Sequence, residues 1–315
     1  MALVNDFDKY FLHLPPLVKE NDFDTFWSHA ISEQRKMAMD ASFTLNKRRS
    51  TGKFSAYDLT YNGFQKSQQY GLLYIPDKAD RPNVVILLHD YNNPHYYMDF
   101  PFDEKFAYLV LVMRGHSMLD VVREEDEPTP GFLVENILEI DQYYVTAIYL
   151  DTLRAIDALR LNNNLNCSRI AMIGKGLGAA ASVFTAAYSD RVKALVLETP
   201  SLTYLELSQN ISQGDAAREI NDFIAMHRNK KKSLKKNLSY VDAINFSDRI
   251  HCPVLSTVGF KDTISPPESV FALFNHFQSD KTMEVYPDEG HTAGGKSQFI
   301  KSIEWLKEVL RADQE

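Results

Sequence analysis

The stretch Ile170-Ala171-Met172-Ile173-Gly174-Lys175-Gly176-Leu177-Gly178-Ala179-Ala180 decides how the rest of the chain is read. An apolar run of strand length ends in closely spaced glycines and passes at once into an alanine-rich helical pattern. This is the outline of a nucleophile elbow, in which a buried strand turns sharply into a helix and presents a reactive side chain at the tip of the turn. The usual form is Gly-x-Ser-x-Gly. Here the segment reads Gly174-Lys175-Gly176-Leu177-Gly178, so glycine stands at the nucleophile position.

The segments around the elbow have the matching rhythm. Apolar runs without alternation occur at 84–88, 108–113, 169–173, 192–197, 253–258 and 282–286, which is the pattern of parallel strands covered on both faces. Helical patterns fit 140–161, 177–188, 268–277 and 296–311 between or after them. Residues 57–62 and 69–75 alternate about a glycine-containing turn and predict a hairpin. The fold class is therefore α/β: a doubly wound, mostly parallel sheet preceded by antiparallel edge strands. Residues 1–50 show no strand alternation and predict a helical extension, with a helix from about Phe23 through Ala38 and Asp22 or Asp24 as its N-cap. A second irregular stretch, 201–250, predicts a helical insertion. It carries the basic cluster Arg228, Lys230, Lys231, Lys232, Lys235 and Lys236, which reads as a solvated helix face. The whole chain, 1–315, is expected to form one domain.

Composition bounds the function. A net charge of -8 excludes a general nucleic-acid role, because phosphate binding needs a cationic face. Two cysteines, Cys167 and Cys252, suit reduced thiols in a cytoplasmic protein better than a disulfide framework. No run is long and apolar enough to span a bilayer, and no His/Asp/Glu spacing matches a metal site, so neither metal nor cofactor is expected.

The elbow predicts further chemistry downstream in the order nucleophile, acid, histidine, with the last two on loops after late strands. Asp262 follows the predicted strand 253–258, within Gly259-Phe260-Lys261-Asp262-Thr263-Ile264-Ser265-Pro266-Pro267. His291 follows the strand 282–286, within Tyr286-Pro287-Asp288-Glu289-Gly290-His291-Thr292. The carboxylate would fix the imidazole tautomer and the imidazole would take a proton from the nucleophile. Gly176 removes that nucleophile. It also relieves a backbone strain on the order of 1–3 kcal/mol that any other residue bears at an elbow tip, so the fold should tolerate what catalysis should not. Lys175 beside the tip is read as a packed or solvated side chain, Ser117 as a loop hydroxyl, Ser182 as a helix-packing residue, and His89 and His116 as bonded within their loops.

With these residues placed, the chain resembles the acetyl xylan esterase / cephalosporin C deacetylase family, carbohydrate esterase family seven. The likeness runs nearly end to end. It includes Asp22-Phe23-Asp24-Thr25-Phe26-Trp27, and His89-Asp90-Tyr91-Asn92 where the family has His-Gly-Tyr. Arg114-Gly115-His116-Ser117 stands for Arg-Gly-Gln-Gly, and Tyr143-Tyr144 with Tyr149-Leu150-Asp151 matches a Tyr-Tyr…Asp helix. Leu238-Ser239-Tyr240-Val241-Asp242…Asn245-Phe246, Cys252-Pro253-Val254-Leu255, Asp262 through Pro267, and Tyr286-Pro287…Gly290-His291 complete it. The resemblance implies an α/β-hydrolase fold, a homo-oligomer of six subunits, and removal of acetyl groups from small sugars or cephalosporins. It also implies an oxyanion hole made by the backbone N–H groups of Tyr91 and Leu177. Leu177 replaces the family's glutamine, Thr292 a glutamate, and Asp90 a glycine, which puts a negative charge beside that hole. Two functions are consistent with this pattern, beside a purely structural or interaction role with no ligand in the pocket. One is a catalytically impaired relative that retains binding of a small acetylated sugar or ester. The other is an active carboxylic-ester hydrolase using Asp262 and His291 with activated water or an unconventional nucleophile.

Overall fold

The computed structural model describes residues 8–116 and 131–312; Ser117 lies outside them. Among the described residues, nine strands form one sheet in the order β1-β2-β3-β5-β4-β6-β7-β8-β9. The strands are β1 (Ser42–Leu45), β2 (Phe54–Asn62), β3 (Gln68–Pro76), β4 (Asn83–Leu88), β5 (Phe106–Val112), β6 (Asn166–Lys175), β7 (Val192–Glu198), β8 (Val254–Gly259) and β9 (Lys281–Tyr286). β1, β2 and β3 pair antiparallel, and β3 pairs antiparallel with β5. Every pairing from β5 through β4, β6, β7 and β8 to β9 is parallel. The expected edge hairpin and parallel sheet are both present.

The unbroken apolar runs are explained by the two cores they serve. Along β4, Val84, Ile86 and Leu88 enter one cluster while Val85 and Leu87 enter the other; β6 divides Ile170 and Met172 from Ala171 and Ile173 in the same way. One face is covered by α2 (Phe23–Arg35), α3 (Tyr144–Leu159) and α4 (Leu177–Tyr188), and the opposite face by α9 (Gly295–Ala312). A strand buried on both sides cannot afford a polar alternation. Two shorter helices, α1 (Asp8–Phe11) and α8 (Pro267–His276), pack together beside β8.

The insertion is helical as expected. It comprises α5 (Leu205–Ile211), α6 (Asp215–Met226) and α7 (Lys231–Val241), followed by a 3-10 stretch over Ala243–Arg249. Lys230, Lys231, Lys232, Lys235 and Lys236 are all solvent-exposed, so the basic cluster is a solvated face.

Three details of the N-terminal region correct the sequence reading. Ser42–Leu45 is a strand, not part of a helical extension; it is mostly exposed, so no apolar alternation betrays it. α2 stops at Arg35 rather than at 38. Asp22 holds the N-cap position without capping, because no side-chain bond to the helix forms and its carboxylate accepts a hydrogen bond from Tyr240 Oη instead.

The residues shared with the resembled family are largely structural joints. Trp27 is fully buried and its Nε1 donates to the Tyr240 carbonyl at 3.0 Å, pinning α2 to the insertion. The three tyrosines of α3 and its approach donate to backbone carbonyls: Tyr143 to Leu133, Tyr144 to Arg114, and Tyr149 to Val241. Asp151 accepts from Arg114 Nε at 2.7 Å and from the Phe64 N–H at 2.6 Å. Burial nevertheless pushes the Asp151 carboxyl up to about 6, opposed by the Arg114 charge. Asp242 accepts the N–H groups of Tyr204 and Leu205 at 2.8 and 2.7 Å, securing the left-handed Tyr204 (φ 47°) that starts α5.

Candidate active site

The site is assembled at the carboxyl ends of β4, β6, β8 and β9, where loops of a doubly wound sheet converge. The first contribution is the elbow itself. Gly176 has φ 51° and ψ -114° between the end of β6 and the start of α4, a conformation that L-residues rarely adopt. Its N–H donates to the Glu198 carbonyl at 3.0 Å, and its carbonyl accepts from Ser201 at 3.1 Å. Gly178 is needed for a different reason: a Cβ there would lie 2.3 Å from the Leu88 carbonyl oxygen and 2.5 Å from that of His89. The end of β4 can come this close to α4 only at a residue without a side chain. The turn is thus a true strand–turn–helix elbow.

Asp262 and His291 meet as the chain order predicts. His291 Nδ1 lies 2.8 Å from Asp262 Oδ2, while the Ile264 and Ser265 N–H groups bond Asp262 Oδ1 at 2.8 and 2.9 Å. Asp262 is buried. The carboxylate is fixed from one side by backbone donors and orients the imidazole on the other.

The other side of the imidazole holds the largest departure from expectation. His291 Nε2 lies 2.7 Å from Asp90 Oδ2. Asp90 Oδ1 accepts from the N–H of Leu177 at 2.9 Å and from the N–H of Tyr91 at 2.8 Å. The negative charge expected beside these two donors is seated on them. A Cβ built on Gly176 would fall 1.8 Å from Asp90 Oδ1, so the aspartate occupies the room a nucleophile side chain needs. Gly176 and Asp90 are sterically complementary.

These contacts set the charges. Burial works against a charged His291, but the hydrogen bonds to Asp262 and Asp90 outweigh it and lift its pKa to about 9. With both ring nitrogens facing carboxylates, the imidazolium donates both N–H groups. Burial alone would raise the Asp90 carboxyl, yet its bond to His291, the His291 charge and the Leu177 N–H hold it below the ordinary carboxylate value. On the Nε2 side the raised His291 and the lowered Asp90 both favour an imidazolium–carboxylate pair at neutral pH.

Around this core sit residues of several kinds. Lys175 is buried and its Nζ donates to the His291 carbonyl at 2.6 Å and to Thr199 Oγ1 at 3.2 Å. It is a packed side chain that braces the histidine loop. Glu198, also buried, accepts from Tyr97 Oη at 3.1 Å; its carboxyl is raised by burial, with the Lys175 charge opposing. His89 is bonded within its loops: its Nε2 accepts the Met113 N–H at 3.1 Å and its Nδ1 lies 2.7 Å from the Asp90 carbonyl. Burial drops its pKa to about 3, so it is a neutral ring holding the Asp90 loop in place. His116 Nδ1 lies 3.3 Å from the Arg114 carbonyl, and Ser182 Oγ donates to the Gly178 carbonyl inside α4.

One functional neighbour was not legible from sequence. Glu219, on α6, accepts from Tyr91 Oη with both carboxylate oxygens at 3.0 Å and from the Leu133 N–H at 3.2 Å. It ties the insertion to the Asp90–Tyr91 loop, and nothing in its local sequence marks it. Between this loop and the insertion a cavity of about 100 Å³ remains, bordered by Asp90, Tyr91, Gln209 and Ser265. Ser265 Oγ and Gln209 Nε2 are buried there without a hydrogen-bond partner among the described residues. No group of three or more His, Cys, Asp or Glu side chains suited to a metal occurs among the described residues. No helix among them is long and apolar enough to cross a membrane.

The geometry can be set beside known proteins. The chain is similar to the acetyl esterase Axe7A of Xylanibacter ruminicola, with 26% identity over 317 aligned positions that cover 95% of this chain and 69% of the relative. An acetyl xylan esterase from Paenibacillus sp. R4 superposes with a TM-score of 0.85 at 25% identity, covering 96% of this chain and 99% of the other. Acetyl xylan esterase 1 from Thermoanaerobacterium sp. JW/SL YS485 superposes with a TM-score of 0.82 at 22% identity, covering 97% and 99%. The fold is therefore that of the α/β-hydrolase esterases, from the edge hairpin to α9. A family model described as acetyl xylan esterase (AXE1) matches residues 6–309, which include the elbow, the Asp262 and His291 loops and the insertion. The chain belongs to the acetyl xylan esterase family.

Proposed function

We propose that this protein is a non-catalytic member of its family, a pseudo-esterase whose nucleophile position is empty of chemistry and whose oxyanion donors are filled by its own Asp90. The observation that carries the reading is the seating of the Asp90 carboxylate. One of its oxygens takes the Tyr91 and Leu177 N–H groups that would stabilise a developing oxyanion, and the other takes His291 Nε2. Asp90 blocks two functions and Gly176 removes a third. No hydroxyl stands at Gly176, the Tyr91 and Leu177 N–H groups are taken by Asp90, and the Asp90 contact raises the His291 pKa to about 9, which opposes its acting as a base at neutral pH.

The competing reading, hydrolysis by water activated on His291, needs a neutral ring with an accessible Nε2, and the Asp90 contact opposes both. A nucleophilic Lys175 is opposed by the bonds that hold its Nζ to His291 and Thr199. What remains beside the blocked centre is the cavity of about 100 Å³ with unpartnered Ser265 and Gln209, the size of a small acyl group and polar enough to hold one. The retained role is therefore binding of a small acetylated sugar or ester in an assembly of identical chains, as the resemblance implies.

Hydrolysis of p-nitrophenyl acetate tests the reading. The wild-type chain should show no turnover above a His291→Ala variant. Turnover near that of active esterases, abolished in that variant, would overturn it.

A further inference from the structure

A second cavity, of about 270 Å³, is bordered by α5, α6 and α7 and shares Leu205 and Gln209 with the first, but Asp90 does not line it. Leu205, Ile224, Leu238 and Ile244 contribute apolar surface to its lining. Lys231 and Lys235, one turn apart on α7, line it as well. Both are exposed, and neither has an ion pair or hydrogen-bond partner among the described residues. Gln209 lines both cavities, and its buried Nε2 has no hydrogen-bond partner among the described residues.

From this cavity we infer a binding site for an organic monocarboxylate with an apolar body. Lys231 and Lys235 stand at i and i+4 on α7 and both border the cavity, so this wall is where an anionic head would be drawn. The remaining positive charges of the same stretch, Lys230, Lys232 and Lys236, reinforce the field. Glu206 and Asp242 line the cavity too, which disfavours a dianion. Asp242 competes weakly for the lysines, because it is buried, its oxygens already accept from the Tyr204, Leu205 and Ile244 N–H groups, and burial pushes its carboxyl up to about 7. The aliphatic lining takes the body of the ligand, and its burial supplies most of the affinity. This assigns two lysines of the basic stretch a ligand, independent of any loss of catalysis at Gly176.

Isothermal titration with 4-phenylbutyrate and its uncharged analogue 4-phenylbutanol tests the assignment. The acid should bind saturably at one site per chain and at least about tenfold tighter than the alcohol, and 0.5 M NaCl should narrow that gap. A Lys231→Ala/Lys235→Ala variant, altered only at exposed positions, should fold normally and lose about tenfold in affinity for the acid while leaving the alcohol unchanged. Ile224→Trp should abolish binding of both by filling the cavity. Absence of saturable binding would overturn the inference. So would equal affinity for acid and alcohol, or an unaltered double-lysine variant.

Discussion

Asp262 and Asp90 face the same imidazole from opposite sides, and the two sides have been treated differently. On the Nδ1 side, Asp262 is buried, fixed by two backbone donors, and placed after β8 as an acid should be. On the Nε2 side, a carboxylate stands where a nucleophile and substrate oxygen would otherwise be accommodated. The contrast teaches that Gly176 and Asp90 form a coupled pair. Glycine at 176 leaves room, and Asp90 fills it with hydrogen bonds that satisfy both backbone donors and histidine. An anion in that position is chemically apt, because the donors and the imidazolium are arranged to stabilise negative charge.

The sharpest way to break the comparison is to reverse both changes together. Asp90→Gly/Gly176→Ser should recreate a serine beside a free Nε2 with two free N–H donors. Hydrolysis of p-nitrophenyl acetate should then rise at least about a thousandfold above wild type, since a triad serine carries up to a millionfold of turnover. Gly176→Ser alone should gain no comparable activity. Its Cβ meets Asp90 Oδ1 at 1.8 Å and its backbone is held at φ 51°, so denaturant unfolding should show a stability loss of about 2–4 kcal/mol. The order double variant, then single variant, separates a coupled loss from an isolated one.

A smaller effect comes from Asp90→Asn, which keeps the shape and removes the charge. The amide oxygen can still accept from Leu177 and Tyr91, but its NH2 group would face His291 Nε2 and favour the neutral ring. The His291 pKa should fall from about 9 to 6.5 or below, and stability at neutral pH should drop by about 1–3 kcal/mol.

The pH dependence follows from the same contacts. Because the folded pKa of His291 lies above its ordinary 6.5, its contribution is complete below pH 6.5 and is lost as pH rises through about 9. Asp90, whose folded value is depressed, contributes above its ordinary 3.8 and loses that contribution as pH falls below it. Melting temperatures should therefore be highest between about pH 4 and 6.5 for this interaction and decline toward pH 9, and the decline should vanish in Asp90→Asn.

Much of this was legible in the chain because its physical causes are local. The parallel strands declare themselves as unbroken apolar runs, and the elbow as glycines between a strand and a helix. Asp262 and His291 follow from the fixed order of loops. Asp90 was visible as a charge in the wrong place, but not as the group that fills the Gly176 vacancy, since that contact joins positions 87 residues apart in the Leu177–Asp90 pair. Glu219 was invisible for the same reason: its partner Tyr91 is 128 residues away and its own helix carries no signal. β1 escaped notice because an exposed edge strand buries no alternating face.

The 2.7 Å contact with Asp90 Oδ2 favours His291 as an imidazolium. Nitrogen-15 NMR of the His291 ring across pH 5 to 10 tests it most directly. Two protonated ring nitrogens are expected at pH 7.5, with a midpoint near 9 that collapses in Asp90→Asn. A neutral ring at pH 7.5, titrating near 6.5 in wild type and variant alike, would contradict it.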